Sequence, residues 1–203
     1  MFSNLPTLVR QHLAALRMLL VFTVLTGIVY PLLVTGVAQA AFSDQAGGSL
    51  VKSNGKVVGS SLIGQNFTTG SGDKAQPDPK WFQSRPSAGG YDPTASGASN
   101  LGPNNPDLVK TIEERRAAIA RFNGVSASQV PADAVTASGS GLDPDISAGY
   151  AYLQAARVAR ARGLGVASVR RLVADHVQGR VIGFLGGQRV NVVELNLALG
   201  QVK

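Results

Sequence analysis

Residues 18–43 read MLLVFTVLTGIVYPLLVTGVAQAAFS and contain no charged side chain. Crossing the hydrocarbon of a bilayer takes about 20 apolar residues at roughly 1.5 Å each, and Leu19 to Val37 meets that length. No charge gives the run a polar face, which argues against a helix packed half in water. Gly27, Pro31 and Gly36 would weaken a helix in water. In lipid they are tolerated, because few other conformations satisfy the backbone there. Tyr30, directly before Pro31, marks an expected kink. The length therefore supports an uncleaved anchor over residues 18–41. A cleaved signal peptide is the rival reading: Arg10 and Arg17 give a basic start, and Ala38-Gln39-Ala40 before Ala41 is a cleavage pattern. Against it, the apolar run exceeds the roughly 7–15 residues expected of a signal peptide's apolar region.

Working outward, the flanking charges set the expected orientation. Arg17 abuts the apolar run, whereas the first bases on the other side, Lys52 and Lys56, lie beyond Asp44. Residues 1–17 are thus expected to form a short basic cytoplasmic tail, and residues 42–203 an exported soluble domain. The chain has 203 residues and no cysteine. That agrees with an oxidising space and excludes a disulfide scaffold, a thiolate zinc site and a cysteine nucleophile. With 19 Lys+Arg against 12 Asp+Glu the formal charge is +7, yet charged residues are only 15% of the chain. The shortfall from the usual quarter or so falls largely on the apolar run and on a Gly/Ser/Asn/Pro-rich middle.

Several local signals organise residues 42–203. Asn54-Gly55 between apolar-containing arms predicts a type I′ hairpin over 49–60. Residues 61–68 read as a further short strand or edge segment, and 69–80 as a loop. Trp81-Phe82 are expected in the core. Asn105-Pro106 predicts a capped helix start, and Leu108, Ile112, Ile119 and Phe122 continue at helical spacing to Asn123-Gly124. A second helix is expected from Ser147 to Arg162 with Gly163 beyond it. A third is expected over Val166–Val177, and a last short one capped by Asn191 over Val192–Leu199. The expected fold is α+β: one N-terminal transmembrane helix, then a small soluble α+β domain.

Thr94-Ala95-Ser96-Gly97 is echoed by Thr136-Ala137-Ser138-Gly139. Such stretches before helices either expose N–H groups to an anion or form simple turns, the second being the plainer reading. Catalytic motifs are missing. His12 and His176 sit in different parts of the chain and make no metal pair. Neither a G-x-S-x-G elbow nor a G-x-x-x-x-G-K-[ST] phosphate loop occurs. Asp143 and Asp145 flank Pro144 and read as turn-capping acids. Arg157, Arg160, Arg162, Arg170 and Arg171 cluster late. Behind an anchor, they suit a solvated face, lipid head groups or an acidic protein better than nucleic acid.

One family is suggested by LTGIVYPLLVTGVAQ (25–39), GSSLIGQNF (59–67), WFQSRPSA (81–88), YDPTASGASNLGPNNPDL (91–108), VTASGSGLDPDIS (135–147) and GFLGGQRVNVVELNLAL (183–199). In order and over nearly the whole chain, these blocks resemble KdpC, the C subunit of the bacterial Kdp potassium-transporting P-type ATPase. Thr69–Gln76 looks like an insertion, and Ala156 stands where many members have Pro. The resemblance implies a non-catalytic accessory subunit of an ATP-driven, high-affinity potassium import complex in the bacterial inner membrane. Its implied partners are a channel-like A subunit, an ATP-hydrolysing B subunit, a small F peptide and membrane lipid. It carries over the loop residues Gln65, Asn66, Phe67, Ser99, Asn100, Leu101, Ser138, Gly139, Ser140, Gly141 and Asp143. The family is described as a catalytic chaperone that raises the ATP affinity of the B subunit, and the residue matching Gln154 as touching that shared ATP. An exported Gln154 conflicts with this, since about 30 Å of hydrocarbon would separate it from the nucleotide. Assembly is therefore the expected role: the helix packs on the A subunit, with Gly27 and Gly36 permitting close approach, and the domain covers the outer potassium entrance. The alternative is a membrane-anchored exported binding or adaptor domain unrelated to transport.

Overall fold

The computed structural model describes residues 6–202. Residues 1–5 of the expected tail and residue 203 lie outside the described residues. The chain divides into two units, Met1–Ser49 and Leu50–Lys203.

The first unit is one long helix with a short extension. Helix α1 (Thr7–Val24) passes through a single π-turn, Leu25–Val29, into α2 (Tyr30–Ala41). Pro31 explains the π-turn: it has no N–H for the Gly27 carbonyl, and its ring crowds that carbonyl, so the ladder widens locally. Thr26 Oγ donates to the Phe22 carbonyl at 2.6 Å in the same stretch. The continuous helix spans Thr7–Ala41, 35 residues long and apolar enough to cross a membrane. Its first turns extend well before Met18, where the apolar run begins. None of its side chains is buried within the chain. A one-turn helix, α3 (Ser43–Ala46), follows.

The second unit is a small α+β domain, as expected. Strands β1 (Leu50–Ser53) and β2 (Lys56–Ser60) form the predicted hairpin. Asn54 and Gly55 both have positive φ, 48° and 78°, as a type I′ turn requires. Of residues 61–68, expected as a short strand, only Thr68 is paired: β3 (Thr68–Thr69) pairs with β4 (Gln76–Pro77), which lies in the stretch read as a loop. The reason is that the 61–67 backbone bonds to other loops and to side chains instead.

Helix α4 (Pro106–Asn123) starts where Asn105 accepts from the Asp107 N–H at 2.8 Å and ends at left-handed Gly124. A one-turn helix, α5 (Ala132–Val135), was not legible in the sequence. Nor was the pairing of β5 (Asp145–Ser147) with β6 (Arg189–Asn191), which joins segments far apart in the chain. Helix α6 (Ala148–Arg162) begins at Ser147, whose Oγ accepts from Tyr150 N–H, and ends at left-handed Gly163. Helix α7 (Val166–Asp175) stops slightly short of the expected end. Helix α8 (Val192–Gln201) is capped by Asn191, which accepts from both Val193 and Glu194 N–H groups.

The core lies around α6 and α8. Phe82, Ile146, Ala151, Ala155, Val158, Val190, Leu195 and Leu199 are buried there. So are Gln154, Arg157 and Asn196, and these polar side chains organise the loops described next.

Candidate functional site

The sequence-nominated residues fall into two groups, one on the long helix and one in the domain's loops. On the helix, Leu19, Tyr30 and Val37 are exposed. Gly27 lies in the π-turn and Gly36 in α2, and no other part of the chain comes within 4 Å of a Cβ built at either. Pro31 opens α2. Between Met18 and Ala41 this surface carries no charged side chain and presents two gaps in its side-chain cover.

In the domain, two buried amides hold the segment after Trp81. Asn196 Oδ1 accepts from the Phe82 N–H at 2.9 Å, and its Nδ2 donates to the Phe82 carbonyl at 2.9 Å. Gln154 does the same one residue on: its Oε1 accepts from Gln83 N–H at 2.7 Å and its Nε2 donates to the Gln83 carbonyl at 3.0 Å. Each side chain stands in for the backbone of a neighbouring strand. The segment therefore has its polar groups satisfied in a core that offers it no sheet.

Arg157 completes this cluster and corrects one expectation. It is buried, not part of the basic surface with Arg160 and Arg171. Its guanidinium donates to Asn123 Oδ1, the Pro79 and Trp81 carbonyls and Gln154 Oε1, at 2.6–3.0 Å. Its Cζ lies 4.4 Å from the centroid of the Phe122 ring. Among the described residues no carboxylate touches it, and burial pulls its pKa down to about 10, still a cation at neutral pH. Arg162 and Arg170 of the expected patch instead lie over the Trp81 and Tyr152 rings.

The family-motif loops meet on the other side of the same segment. Gln83 Nε2 donates to the Phe67 carbonyl at 2.9 Å, and Ser84 Oγ to the Gln65 carbonyl at 2.8 Å. Gln65 reaches the Val58 carbonyl and Asn66 the Gly90 carbonyl. Arg85 pairs with Asp143 at 2.8 Å. Ser87 Oγ donates to the Gly141 carbonyl, and Gly97 N–H and Ser96 Oγ both donate to the Ser140 carbonyl. The first Thr-Ala-Ser-Gly stretch is thus tied to Ser140, the residue that follows the second. Gly64 gives its N–H to the Leu142 carbonyl, and a Cβ there would collide with the Tyr91 ring. Gly141, at φ +69°, leaves no room for a Cβ beside the Gly97 carbonyl, 2.6 Å away. Tyr91 donates its hydroxyl to the Arg85 carbonyl at 2.7 Å, and burial pushes its pKa up to about 12.

Some nominated residues stay outside this knot. Ser99, Asn100 and Leu101 are exposed, and Asn100 donates back to the Ala98 carbonyl. Gly139 is exposed, whereas Ser138 is buried with its N–H on the Pro86 carbonyl. Sequence reasoning missed Asn196, Gln83 and Arg85. The signal for Gln154 and Arg157 was present: both share helical spacing with buried Tyr150, Ala151 and Val158. A groove of about 420 Å³ between α4 and residues 83–87 is lined by Arg85, Arg121, Phe122 and Tyr150 with no carboxylate, a lining unsuited to a cation. Among the described residues no cluster of His, Cys, Asp or Glu could hold a metal ion.

Two comparisons decide what this scaffold is. The family described as "KdpC: K+-transporting ATPase, c chain" matches residues 12–201. The chain belongs to the KdpC family. A protein of Streptomyces avermitilis named "Potassium-transporting ATPase KdpC subunit" is 50% identical over 100% of this chain and 98% of its own length. Proteins of the same name from Mycobacterium bovis and Beijerinckia indica are each 53% identical. They cover 95% and 93% of this chain and 99% and 93% of their own lengths, respectively. The family resemblance read from the sequence is thus correct, and membership places the chain in the Kdp potassium-transporting ATPase as an accessory subunit. The adaptor reading unrelated to transport is not favoured.

Proposed function

We propose that this chain assembles and stabilises the Kdp complex from a membrane anchor, with no chemistry of its own. The observation that carries the reading is the long helix, none of whose apolar side chains is buried within the chain. Lipid or another membrane helix must cover that surface, since water would not be tolerated along it. Gly27 and Gly36 let a neighbouring helix of the channel-like A subunit come close. The B subunit and the F peptide complete the set of partners. With the N-terminus cytoplasmic in the inner membrane, the domain is exported and covers the outer potassium entrance.

The chaperone role toward ATP belongs to the same proposal in a modified form. Gln154 is fully buried, with both amide atoms engaged by Gln83 and Arg157. An effect of Gln154 on the ATP affinity of the B subunit would therefore pass through the fold of the domain. Direct contact with the nucleotide would need the clamp to open.

Copurification tests the assembly role: a tagged chain should bring down large polytopic partners, and their absence overturns it. Topology is tested by a cysteine at exposed Ser168, which should react from outside intact cells. Reaction only in inverted vesicles would place the domain in the cytoplasm.

A further inference from the structure

The chain between α7 and β6 carries apolar side chains that the core does not use. Val181, Ile182, Phe184 and Leu185 are 52%, 78%, 68% and 50% exposed. They sit on one tight turn, closed by Val181 N–H to the Leu185 carbonyl at 3.0 Å and by Leu185 N–H to the Val181 carbonyl at 2.9 Å. Ile182 has φ +54°. A β-branched residue is strained in that region, and Ile182 is the most exposed of the four. Contiguous exposed apolar groups mark an interaction surface.

The surroundings indicate what is met. No acid occurs between Asp175 and Glu194, and Arg180 and Arg189 flank the turn. Arg189 is paired with Asp145 at 3.0 Å, while Arg180 is exposed beside the tip. Apolar side chains with an adjacent cation suit the boundary between acyl chains and anionic head groups. The chain is also leashed: only residues 42–49 separate the long helix from β1, at most about 30 Å of chain. We propose that the Val181–Leu185 turn dips into the head-group region of an anionic bilayer and gives the domain a second membrane contact. This rests on the reading that the long helix spans the membrane.

The absence of cysteine allows single nitroxide labels on the full chain, reconstituted in phosphatidylglycerol/phosphatidylcholine nanodiscs. Labels replace Phe184 (Phe184→Cys), Leu33 on the long helix and exposed Glu113 on α4. The proposal expects the Phe184 label to favour oxygen over a water-soluble nickel chelate, as at Leu33 and unlike Glu113. Arg180→Gln, or pure phosphatidylcholine, should lower the lipid-inserted population about fivefold for one charge lost. An Ile182→Cys label repeats the measurement should Phe184→Cys misfold. A water-like Phe184 label beside a lipid-like Leu33 label overturns the proposal and leaves the anchor standing. Shielding from both reagents, or broadening by a second label, shows a protein partner or a second copy on the turn, which also overturns it. A water-like Leu33 label removes the anchor and the proposal together.

Discussion

The long helix and the loop knot solve one problem, the satisfaction of backbone polar groups, in opposite ways. The helix satisfies its own ladder from Thr7 to Ala41, interrupted only by the π-turn just before Pro31, and leaves its side chains for its surroundings. Among the described residues of the domain, three two-stranded sheets leave most loop backbone without a strand partner, and buried side chains supply the bonds instead. Substitutions should therefore act locally and steeply in the knot. On the helix they should act on association and leave the domain's stability alone.

The steepest test removes the centre of the knot. Gln154→Leu leaves the Gln83 N–H and carbonyl and one Arg157 nitrogen without partners in the core. It should cost about 3–5 kcal/mol, lowering the melting temperature by roughly 10 °C. If stability holds and only the ATP dependence of the assembled pump shifts, the clamp description is wrong. Asn196→Leu removes the twin clamp on Phe82 and should cost about 2–3 kcal/mol in urea titrations. Gly64→Ala forces the Tyr91 ring and the Asp143 carbonyl to move and should cost about 1–3 kcal/mol by the same measurement.

A pH test is subtler. Burial raises the Asp145 pKa from its ordinary 3.8, and Arg189 only partly offsets this. A carboxyl raised in the folded state contributes stability that is present below 3.8 and lost as pH rises through the folded value. Asp145→Asn should therefore flatten the fall in stability above that pH, read by urea melts at stepped pH. The smallest expected effect on the domain comes from the helix. Gly27→Leu with Gly36→Leu should leave its melting unchanged within about 0.5 kcal/mol while reducing the partners recovered with the tagged chain. A loss of domain stability there would erase the contrast between the regions.

Much of the local structure was legible because its causes are local. Asn54-Gly55, Asn105-Pro106, Ser147, Gly163 and Asn191 each set a turn or helix end through their own geometry, and the structure has each where the sequence implied it. The loop blocks could be recognised as family motifs, but their reason could not be read. Gly64 is required by Tyr91, and Gly141 by Gly97, residues far away in the chain. Arg157 was misplaced for the same reason: as one of several late arginines it looks like surface, and only its neighbours make it core.

The sequence by itself determined the apolar helix, most helix limits, the hairpin and membership of the KdpC family, because length, capping and contiguous motifs are one-dimensional quantities. Tertiary structure alone decided that Gln154 and Asn196 act as substitute strands, that Arg157 is buried without a carboxylate, and that β5 pairs with β6. Those outcomes depend on which distant backbone groups lack a partner once the chain has closed, and no local pattern records that.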